Sequence, residues 1–561
     1  MSASRGDAEG RNPRELASGA VAYGERALLL EPTADASRLG TTLALLGIVA
    51  GALLLRLHNL EQWGLWDDEL FSVQHAIELA DGLVDGRVLA WLPHLIGFEL
   101  AGVDMASLDP AELWTWRAAG TTEWNMRAPV ALLGALSIAV LGLVGQRTLG
   151  ARPTLWLCLL LALPPWHLWM SQVCRFYMQL FLFYNLAVLL YYQATTDGRV
   201  ARASVAMLCL VLAVYTSPIA LMIFGVFAVD IASSWLRRRP TGMRPAFWAM
   251  GAATIAICAI SVVAKFDLGS EPEAVLTDYS EFTGTPQSIP VMTMGMVYLI
   301  EVHMVVIAAL GFWALLRRNE RLAILLAAAA VVPLATFIGF NLLGKDTHAR
   351  YTFVALFAWL ALGALGIEVI FAALRPHLGT LASTLPALAL LGTFALTDYI
   401  YMTGGAGYRG LWRQAAAYIE AHRRPGELVA GDWAGQRMLQ YYLAEPDAVL
   451  LPHGFSDADM RALVPRPAWI LLRAYHPSAG DRTEQLAAAG ALQAYFTNRV
   501  AQPNHTINVY HHTPGVAPAA ASPSAAGDSW PRRRGQARRS ARAQSRSQDP
   551  RRPAPAAVRQ A

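Results

Sequence analysis

Charged residues are scarce in this chain of 561 residues, at 15%, and its four cysteines show no CxxC spacing. Soluble globular proteins carry roughly 25% charged residues, so the composition excludes an ordinary soluble domain. The cysteine spacing argues against a disulfide framework and a thiolate metal site. The sequence has no Gly-rich phosphate loop, no HExxH, no GxSxG and no repeat with a period of about 20–50 residues. The residues that carry chemistry must therefore lie in other patterns.

Hydrophobic residues make up 55% of the chain and are concentrated in long apolar stretches. About 20 apolar residues cross the hydrocarbon core of a bilayer as a helix, so the sequence predicts a mostly α, polytopic transmembrane helical bundle with about eleven spans. The stretches lie near residues 41–57, 128–145, 154–170, 176–193, 203–217, 219–236, 247–264, 291–316, 322–343, 352–373 and 381–401.

Arginine clusters fall on alternate connections between these stretches and predict the orientation of the bundle. Short loops with many Lys and Arg stay on the cytoplasmic side of a membrane. The amino terminus is therefore predicted inside and the chain from residue 402 outside, in a multi-pass protein of a bacterial inner membrane or a plasma membrane. The clusters are Arg147 with Arg152, Arg199 with Arg202, Arg237 to Arg239 with Arg244, Arg317 and Arg318 with Arg321, and Arg375.

The formal net charge of +4 comes from the end of the chain, because ten Arg and two Asp beyond residue 514 carry +8 and leave −4 for the rest. A basic surface for nucleic acid is therefore not expected. Residues 514–561 are rich in Pro, Ala, Ser and Arg, and residues 1–38 are polar. Neither segment can bury a core, so both are predicted to be disordered tails, with residues 1–38 cytoplasmic.

The predicted transmembrane domain spans residues 39–402 and has a long external loop at 58–127. This loop contains GLWDDELF, which sets Asp67, Asp68 and Glu69 directly behind a Trp. Carboxylates at the edge of a membrane are costly unless water or a cation meets them. The loop also has six tryptophans, which suit amphipathic helices in the headgroup layer.

Basic residues lie in other connections that are predicted on the same external side. The connection 344–350, GKDTHAR, holds Lys345, His348 and Arg350, and Arg175 lies in SQVCRFY between two adjacent spans. Acids and bases are therefore expected to meet on one membrane face.

A small external α/β domain is predicted at residues 403–513, where the apolar stretches end. WRQAAAYIEAH has helical spacing, whereas ELVAGDW, AWILLRA and INVYHH are typical of strands. The predicted organisation is thus two tails, a transmembrane domain and one α/β domain.

Several of these motifs, taken in order, resemble the GT-C membrane glycosyltransferases, in the branch of protein O-mannosyltransferases and bacterial aminoarabinose transferases (glycosyltransferase family 39-like). LWDDELF resembles the acidic motif of the first external loop, with Asp68-Glu69 in the matching positions and Asp67 as an extra acid. RAPVALLGALS, from Arg127, is similar to the Arg-x-Pro start of the second span.

The later motifs follow in the order that the family has them. LPPWHLWMSQVCRFYMQLFL resembles a Ser-Gln…Arg-x-Tyr stretch, and HARYTFVALFAW resembles an Arg-Tyr element at the start of a span. LWRQAAAYIEAHRRPGELV looks like the opening of the external domain in the bacterial branch. The matched positions are Ser171, Gln172, Arg175, Tyr177, Arg350 and Tyr351.

The resemblance implies an enzyme that moves a hexosyl or pentosyl group from a polyprenyl-phosphate donor to a glycan, lipid or protein acceptor on the external face, with inversion. Asp68 and Glu69 are the expected catalytic carboxylates, although Glu69 is equally compatible with a ligand or a structural partner. The residues expected to bind the donor phosphate are Arg175, Lys345, His348 and Arg350. The expected supporting residues are Asp67, Gln172, Tyr177 and Tyr351.

The physical chemistry of such a transfer requires a base and cations. A carboxylate that takes the proton of an acceptor hydroxyl accelerates attack, typically by about 10²–10⁴-fold, and Asp68 is the predicted base. The leaving phosphate gains negative charge, which guanidinium groups stabilise by charge-assisted hydrogen bonds. These demands match the acids and bases of the external connections.

Other interpretations stay open at this point. No cofactor is assigned, and a divalent metal ion stays an alternative. Many relatives place a Glu where Val173 stands, in a segment that often supplies a second acid near a metal, and the absence of that acid here leaves metal dependence open. A transporter or flippase of lipid-linked sugars would also have many spans, with ionisable residues along its pathway. A non-catalytic scaffold descended from the enzymes is a third interpretation.

Overall fold

The structure of the protein is a computed structural model of the full chain. It describes residues 36–80, 88–104, 108, 113–238, 242–266, 289–343, 347–404, 407, 409–443, 466–473, 490–497 and 506–514. The predicted disorder of residues 1–35 and of the tail beyond residue 514 lies outside the described residues. The first helix already begins at Ala36, two residues before the predicted end of the amino-terminal tail.

The described residues between 36 and 403 are mostly helical, as the long apolar stretches predict. Two short 3₁₀ helices, Pro218–Leu221 and Ala349–Ala355, precede α10 and α15. The α-helices are α1 (Ala36–Leu57), α2 (Asp67–Ala80), α3 (Val88–Leu100), α4 (Leu113–Ala118), α5 (Glu123–Leu149), α6 (Ala151–Ala162), α7 (Pro165–Ser171), α8 (Tyr177–Asp197), α9 (Val200–Thr216), α10 (Met222–Leu236), α11 (Pro245–Phe266), α12 (Ile289–Ile300), α13 (Val302–Arg318), α14 (Glu320–Leu342), α15 (Leu356–Ala382) and α16 (Leu385–Thr403).

Six helical segments of the described chain are long and apolar enough to cross a membrane, or seven if the bent pair α6–α7 forms one span. A multi-pass membrane protein is therefore supported, whereas the predicted count of about eleven is not confirmed. The difference comes partly from breaks inside predicted spans. The stretch 291–316 is interrupted at Glu301, whose φ of 69° ends α12, and α7 is bent by 61° from α6. Apolar composition does not reveal such breaks, because both halves remain hydrophobic.

A four-stranded sheet with two helices occupies the region of the predicted α/β domain. Strands form at the three segments that the sequence predicted, and a fourth, β3, was not predicted. The elements are α17 (Trp412–His422), β1 (Leu428–Gly431), α18 (Trp433–Tyr442), β2 (Ala468–Arg473), β3 (Ala491–Phe496) and β4 (Ile507–His512). The strand order is β1-β2-β4-β3, with β1 and β2 parallel and the other pairs antiparallel. The parallel pair needs a crossover connection, and α18 lies within it.

One hydrophobic core joins this α/β region to the helices of loop 58–127. The core contains Leu70 and Ile77 of α2, Ala415 of α17 and Met438 of α18. The described residues up to Pro514 accordingly belong to one compact unit. The secondary structure changes near the predicted boundary at residue 403. The α/β region nevertheless packs against the helices of loop 58–127 and shares a hydrophobic core with them.

Two tryptophans of loop 58–127 lie inside this shared core. Trp91 is 1% exposed and Trp116 is 0% exposed. The expectation that the Trp set lies in the headgroup layer is therefore wrong for these two. Trp114 and Trp124 are exposed and still fit it.

Candidate active site

The acidic motif forms the first turn of α2. Trp66 caps the helix, since its carbonyl accepts the Glu69 N–H at 2.9 Å, and the Glu69 carboxylate accepts the Trp66 N–H at 2.9 Å. This return bond from the third helical residue is half of a capping box. Carboxylates in a first turn also interact favourably with the helix dipole. The motif is therefore a helix start, which places Asp68 and Glu69 on different sides of α2.

Glu69 points into the protein and is fully buried. Its Oε1 accepts from Arg127 Nε and its Oε2 from Arg127 Nη2, both at 2.8 Å. Oε1 also accepts the Cys174 N–H at 2.9 Å, and Arg409 Nε lies 3.5 Å from Oε2. Burial alone would raise the pKa of Glu69, but the charges of Arg127 and Arg409 lower it to about 2. Both oxygens are thus occupied, which favours the structural alternative for Glu69.

Arg127, at the start of α5, explains why the Arg-x-Pro motif belongs with the acidic motif. Besides Glu69, its guanidinium donates to the carbonyls of Leu60, Trp63 and Gly64 at 2.7, 2.8 and 2.9 Å. The side chain therefore holds the segment that leads into α2. Arg127 belongs to a motif of the sequence, but no role in the site was predicted for it.

Asp68 lies on the other side of α2 and meets two arginines. Arg350 Nη1 lies 3.3 Å from Asp68 Oδ2, and Arg175 Nη1 donates to the Asp68 carbonyl at 2.9 Å and to Ser72 Oγ at 3.1 Å. The guanidinium of Arg350 also lies 4.9 Å from the centre of the Trp66 ring. The structure therefore brings together residues of three connections that the sequence predicted to lie on one membrane face.

Three polar atoms at this meeting point are buried and have no hydrogen-bond partner among the described residues. They are Asp68 Oδ2, Arg175 Nε and Arg350 Nε. The contact of Asp68 Oδ2 with Arg350 is thus an ion pair by distance, without the geometry of a hydrogen bond. Buried polar groups without partners are costly and uncommon, so such a cluster indicates a ligand site.

The charges around Asp68 oppose the effect of its burial. Burial alone would raise the pKa of Asp68, but Arg175, Arg350 and His348 lower it below its usual value. Asp68 is therefore an ionised carboxylate at neutral pH. It can accept a proton or a hydrogen bond.

The other predicted site residues divide into neighbours of this cluster and packing residues. His348 caps the short helix that carries Arg350 and lies edge-on to Tyr351, with ring centres 5.6 Å apart. Tyr177 is buried at the start of α8. Lys345 lies outside the described residues, and so does the side chain of Asp67.

Gln172 is buried and connects three parts of the chain. Its Nε2 donates to the carbonyls of Arg56 and His58 at 3.0 and 2.9 Å, and its Oε1 accepts from Tyr401 Oη at 3.0 Å. It therefore fixes the connection that leads to Arg175 and does not point at the cluster itself.

Sequence reasoning missed the residues through which the α/β region contacts the site. Arg409 reaches Glu69, and Tyr442 Oη accepts the Leu65 N–H at 2.6 Å. Neither residue lies in a recognised motif, and both contacts join positions more than 300 residues apart. In the part of the chain that the structure describes, no group of three or more His, Cys, Asp and Glu side chains could hold a metal ion.

Solved structures with a similar architecture are known. The crystal structure of ArnT from Cupriavidus metallidurans in the apo state matches with a TM-score of 0.52 and 14% sequence identity, over 86% of this chain and 100% of that one. ArnT from Cupriavidus metallidurans bound to undecaprenyl phosphate matches with a TM-score of 0.50 and 14% identity, over 84% and 99%. These two matches show a shared fold.

A third structure is more distant. The oligosaccharyltransferase of Archaeoglobus fulgidus, in complex with zinc and sulfate, gives a TM-score of 0.40 and 12% identity, over 70% of this chain and 61% of that one. No family model and no curated protein sequence matches the chain.

Proposed function

We propose that the chain, which shares its fold with the ArnT structures, is a GT-C membrane glycosyltransferase that uses a polyprenyl-phosphate sugar as donor. The observation that carries this proposal is the cluster of Asp68, Arg175 and Arg350, whose unpartnered polar atoms converge beside the ends of the membrane helices. A phosphate would supply the acceptors that Arg175 Nε and Arg350 Nε lack. ArnT binds undecaprenyl phosphate, which belongs to the same class of lipid.

Arg175 and Arg350 are proposed to bind the donor phosphate. A guanidinium offers planar pairs of N–H donors that match phosphate oxygens, and each charge-assisted bond is stronger than a neutral one. As the C1–O bond of the sugar breaks, the leaving phosphate gains negative charge, which these donors stabilise in a partly dry site. Lys345 and His348 belong to the same connection as Arg350 and are proposed to donate further hydrogen bonds to the phosphate.

Asp68 is proposed as the base that takes the proton of the acceptor hydroxyl. Arg175 and Arg350 lower the pKa of Asp68 and so weaken it as a base. A bound phosphate would neutralise part of their charge, and the pKa of Asp68 would then rise. The base would become stronger only when the donor is in place. Attack opposite the leaving phosphate would invert the anomeric centre in one displacement.

Glu69 and Gln172 are proposed to position the site without touching the substrate. Glu69 joins the start of α2 to the Cys174 amide, one residue before Arg175. Gln172 anchors the same connection to the end of α1. Because a misplacement of about 1 Å can cost about 10²-fold in rate, such residues matter for turnover. Asp67, Tyr177 and Tyr351 remain supporting candidates.

The site is proposed to face the outside of a cell membrane, with a glycan, lipid or protein as acceptor. The support is the alternation of the Arg clusters, which predicts an external position for loop 58–127, connection 344–350 and the α/β region. A divalent metal ion stays an alternative. No step is assigned to one, since the described residues offer no ligand group for it.

Binding of undecaprenyl phosphate tests the donor assignment without knowledge of the sugar or the acceptor. Native mass spectrometry of the detergent-solubilised protein should detect the lipid on the wild type, with weaker binding to Arg175→Ala. Arg147→Ala is the matched control, because Arg147 lies 20 residues beyond Arg127 on α5, about 30 Å along the helix axis. Equal binding by all three proteins would contradict the phosphate site.

The sugar and the acceptor would follow from a comparison of cells with and without the gene. Mass spectrometry of envelope glycans, glycolipids and glycoproteins should show one modification that disappears. Polyprenyl phosphate should be released when purified protein receives that donor and acceptor. A lipid-linked sugar that moves across the bilayer unchanged would instead identify a transporter.

A further inference from the structure

The segment between the last membrane helix and the α/β region passes directly beside the candidate site. Gly407 has a φ of +61°, in the left-handed region that favours glycine. A side chain here would collide with the guanidinium of Arg409 and with the indole ring of Trp63. Any other residue would therefore be strained at this position, which lies two residues before Arg409.

Arg409 contacts both connections that carry the proposed catalytic groups. Its Nη2 donates to the Gln172 carbonyl at 2.5 Å, and its Nε lies 3.5 Å from Glu69 Oε2. The side chain is 2% exposed. Gln172 lies three residues before Arg175, and Glu69 directly follows Asp68. One guanidinium from the carboxyl-terminal part of the chain thus bridges the turn that carries the proposed base and the connection that carries the proposed phosphate ligand.

Helix α18 makes a second set of contacts with α2 and the segment before it. Tyr442 Oη accepts the Leu65 N–H at 2.6 Å and lies 2.8 Å from Glu123 Oε1. Arg437 Nη2 donates to Gln74 Oε1 at 2.6 Å. These contacts hold the α/β region against α2, so Arg409 is part of an extended interface and not an isolated contact.

We infer that Arg409 is a positioning residue of the transferase site. Through it, the α/β region fixes the position of helix α2, which carries Asp68, relative to the connection that carries Arg175. The inference rests on the proposed function. Arg409 does not touch the unpartnered atoms of the cluster, and Glu69 keeps its two bonds to Arg127 when Arg409 is removed. Loss of Arg409 should therefore loosen the geometry of the site without unfolding α2.

Kinetics of Arg409→Gln distinguish positioning from a general loss of structure. We expect kcat to fall by about 10–100-fold, with a change of less than about threefold in KM for the donor, because geometry and not phosphate contact is lost. Arg409→Lys keeps the charge but not the planar fork, and its kcat should be intermediate. The unfolding midpoint should stay near that of the wild type. Arg424→Gln, on the exposed end of the same region, is the control and should match the wild type.

Two kinetic results would overturn the inference. A kcat of Arg409→Gln equal to that of Arg424→Gln would show that positioning does not depend on Arg409. A fall in kcat matched by an equal loss of folded protein would show a structural role alone. If the Gln variant does not fold, Arg409→Lys carries the same test.

Hydrogen exchange separates this inference from the proposed function, because it needs no turnover. Peptides that cover residues 66–71 and 172–176 should exchange several-fold faster in Arg409→Gln than in the wild type or in Arg424→Gln. Unchanged exchange in both peptides would overturn the inference even if the wild type is an active transferase. Faster exchange in Arg409→Gln, combined with a wild type that releases no polyprenyl phosphate, would overturn the proposed function and leave the mechanical link in place.

Discussion

Glu69 and Arg127 face each other across two parallel hydrogen bonds of 2.8 Å, and their side chains are 0% and 1% exposed. The pair joins the first turn of α2 to the first turns of α5. Since Oε1 of Glu69 also accepts the Cys174 amide, the same carboxylate sets the position of the Arg175 connection. The acidic motif thus has two parts, with Glu69 turned inward to the scaffold and Asp68 turned toward the candidate site.

Substitution Glu69→Gln should destabilise the protein strongly. It leaves the Arg127 charge buried without a counter-charge, and the loss of one partner of a buried ion pair costs about 3–5 kcal/mol. The unfolding midpoint in detergent should fall by several degrees, measured by thermal denaturation. Glu78→Gln is the matched control on α2, because its pair with His75 is partly exposed and worth about 1 kcal/mol or less. Equal midpoints for the two variants would contradict the role of Glu69 in the scaffold.

Substitution Arg350→Gln should move the acid limb of the pH–rate profile to higher pH. Asp68 must be ionised to accept a proton, so activity is lost as pH falls through its pKa. The charge of Arg350 helps to lower the pKa of Asp68, and its removal raises that pKa. The limb in kcat/KM reports the free enzyme and is the quantity to measure.

The same comparison needs a variant that removes a positive charge far from Asp68. Arg147→Gln, in the last turn of α5, should leave the limb in place. A limb that stays at the same pH in Arg350→Gln would exclude Asp68 as the titrating base.

Truncation after Pro514 should leave turnover within a few-fold of the wild type. The removed residues are rich in Pro, Ala, Ser and Arg and cannot bury a core. Turnover per inserted molecule is the measurement, with membrane insertion verified separately. A loss of orders of magnitude in inserted protein would make the tail part of the site.

A reporter fused after residue 514 should be found outside the cytoplasm. The reason is the alternation of Arg clusters, which predicts the α/β region and the candidate site on the external side. Alkaline phosphatase and green fluorescent protein fusions give opposite signals on the two sides. A cytoplasmic signal would overturn the predicted topology and the external position of the site.

The sequence predicted the convergence of the site better than the roles of its members. The positive-inside rule placed the connections of Asp68, Arg175 and Arg350 on one face, and the structure brings these residues together. The sequence did not show that Asp68 and Glu69 face different sides of α2. Neighbouring helical residues point in directions about 100° apart, and only the residues that contact them show which side faces the core. Arg127 supplies that information, from 58 residues away.

Two other features lay beyond the reach of the sequence patterns. The break at Glu301 interrupts an apolar stretch without Pro or Gly at that position, so hydropathy alone predicted one continuous span. Arg409 lies outside every motif, and its role depends on packing between distant parts of the chain. Local periodicity cannot reveal a contact of that kind.

Asp68 is the proposed base of the sugar transfer, and its removal is the most direct test of the proposed function. Asp68→Asn keeps the shape of the side chain and removes the base, so we expect turnover to fall by about 10²-fold or more, with donor affinity largely unchanged. Asp67→Asn, its neighbour in the motif, should have a modest effect of a few-fold. The measurement is release of polyprenyl phosphate from the true donor by folded protein. A loss confined to Asp68→Asn supports the account, and turnover of Asp68→Asn near that of the wild type would contradict it.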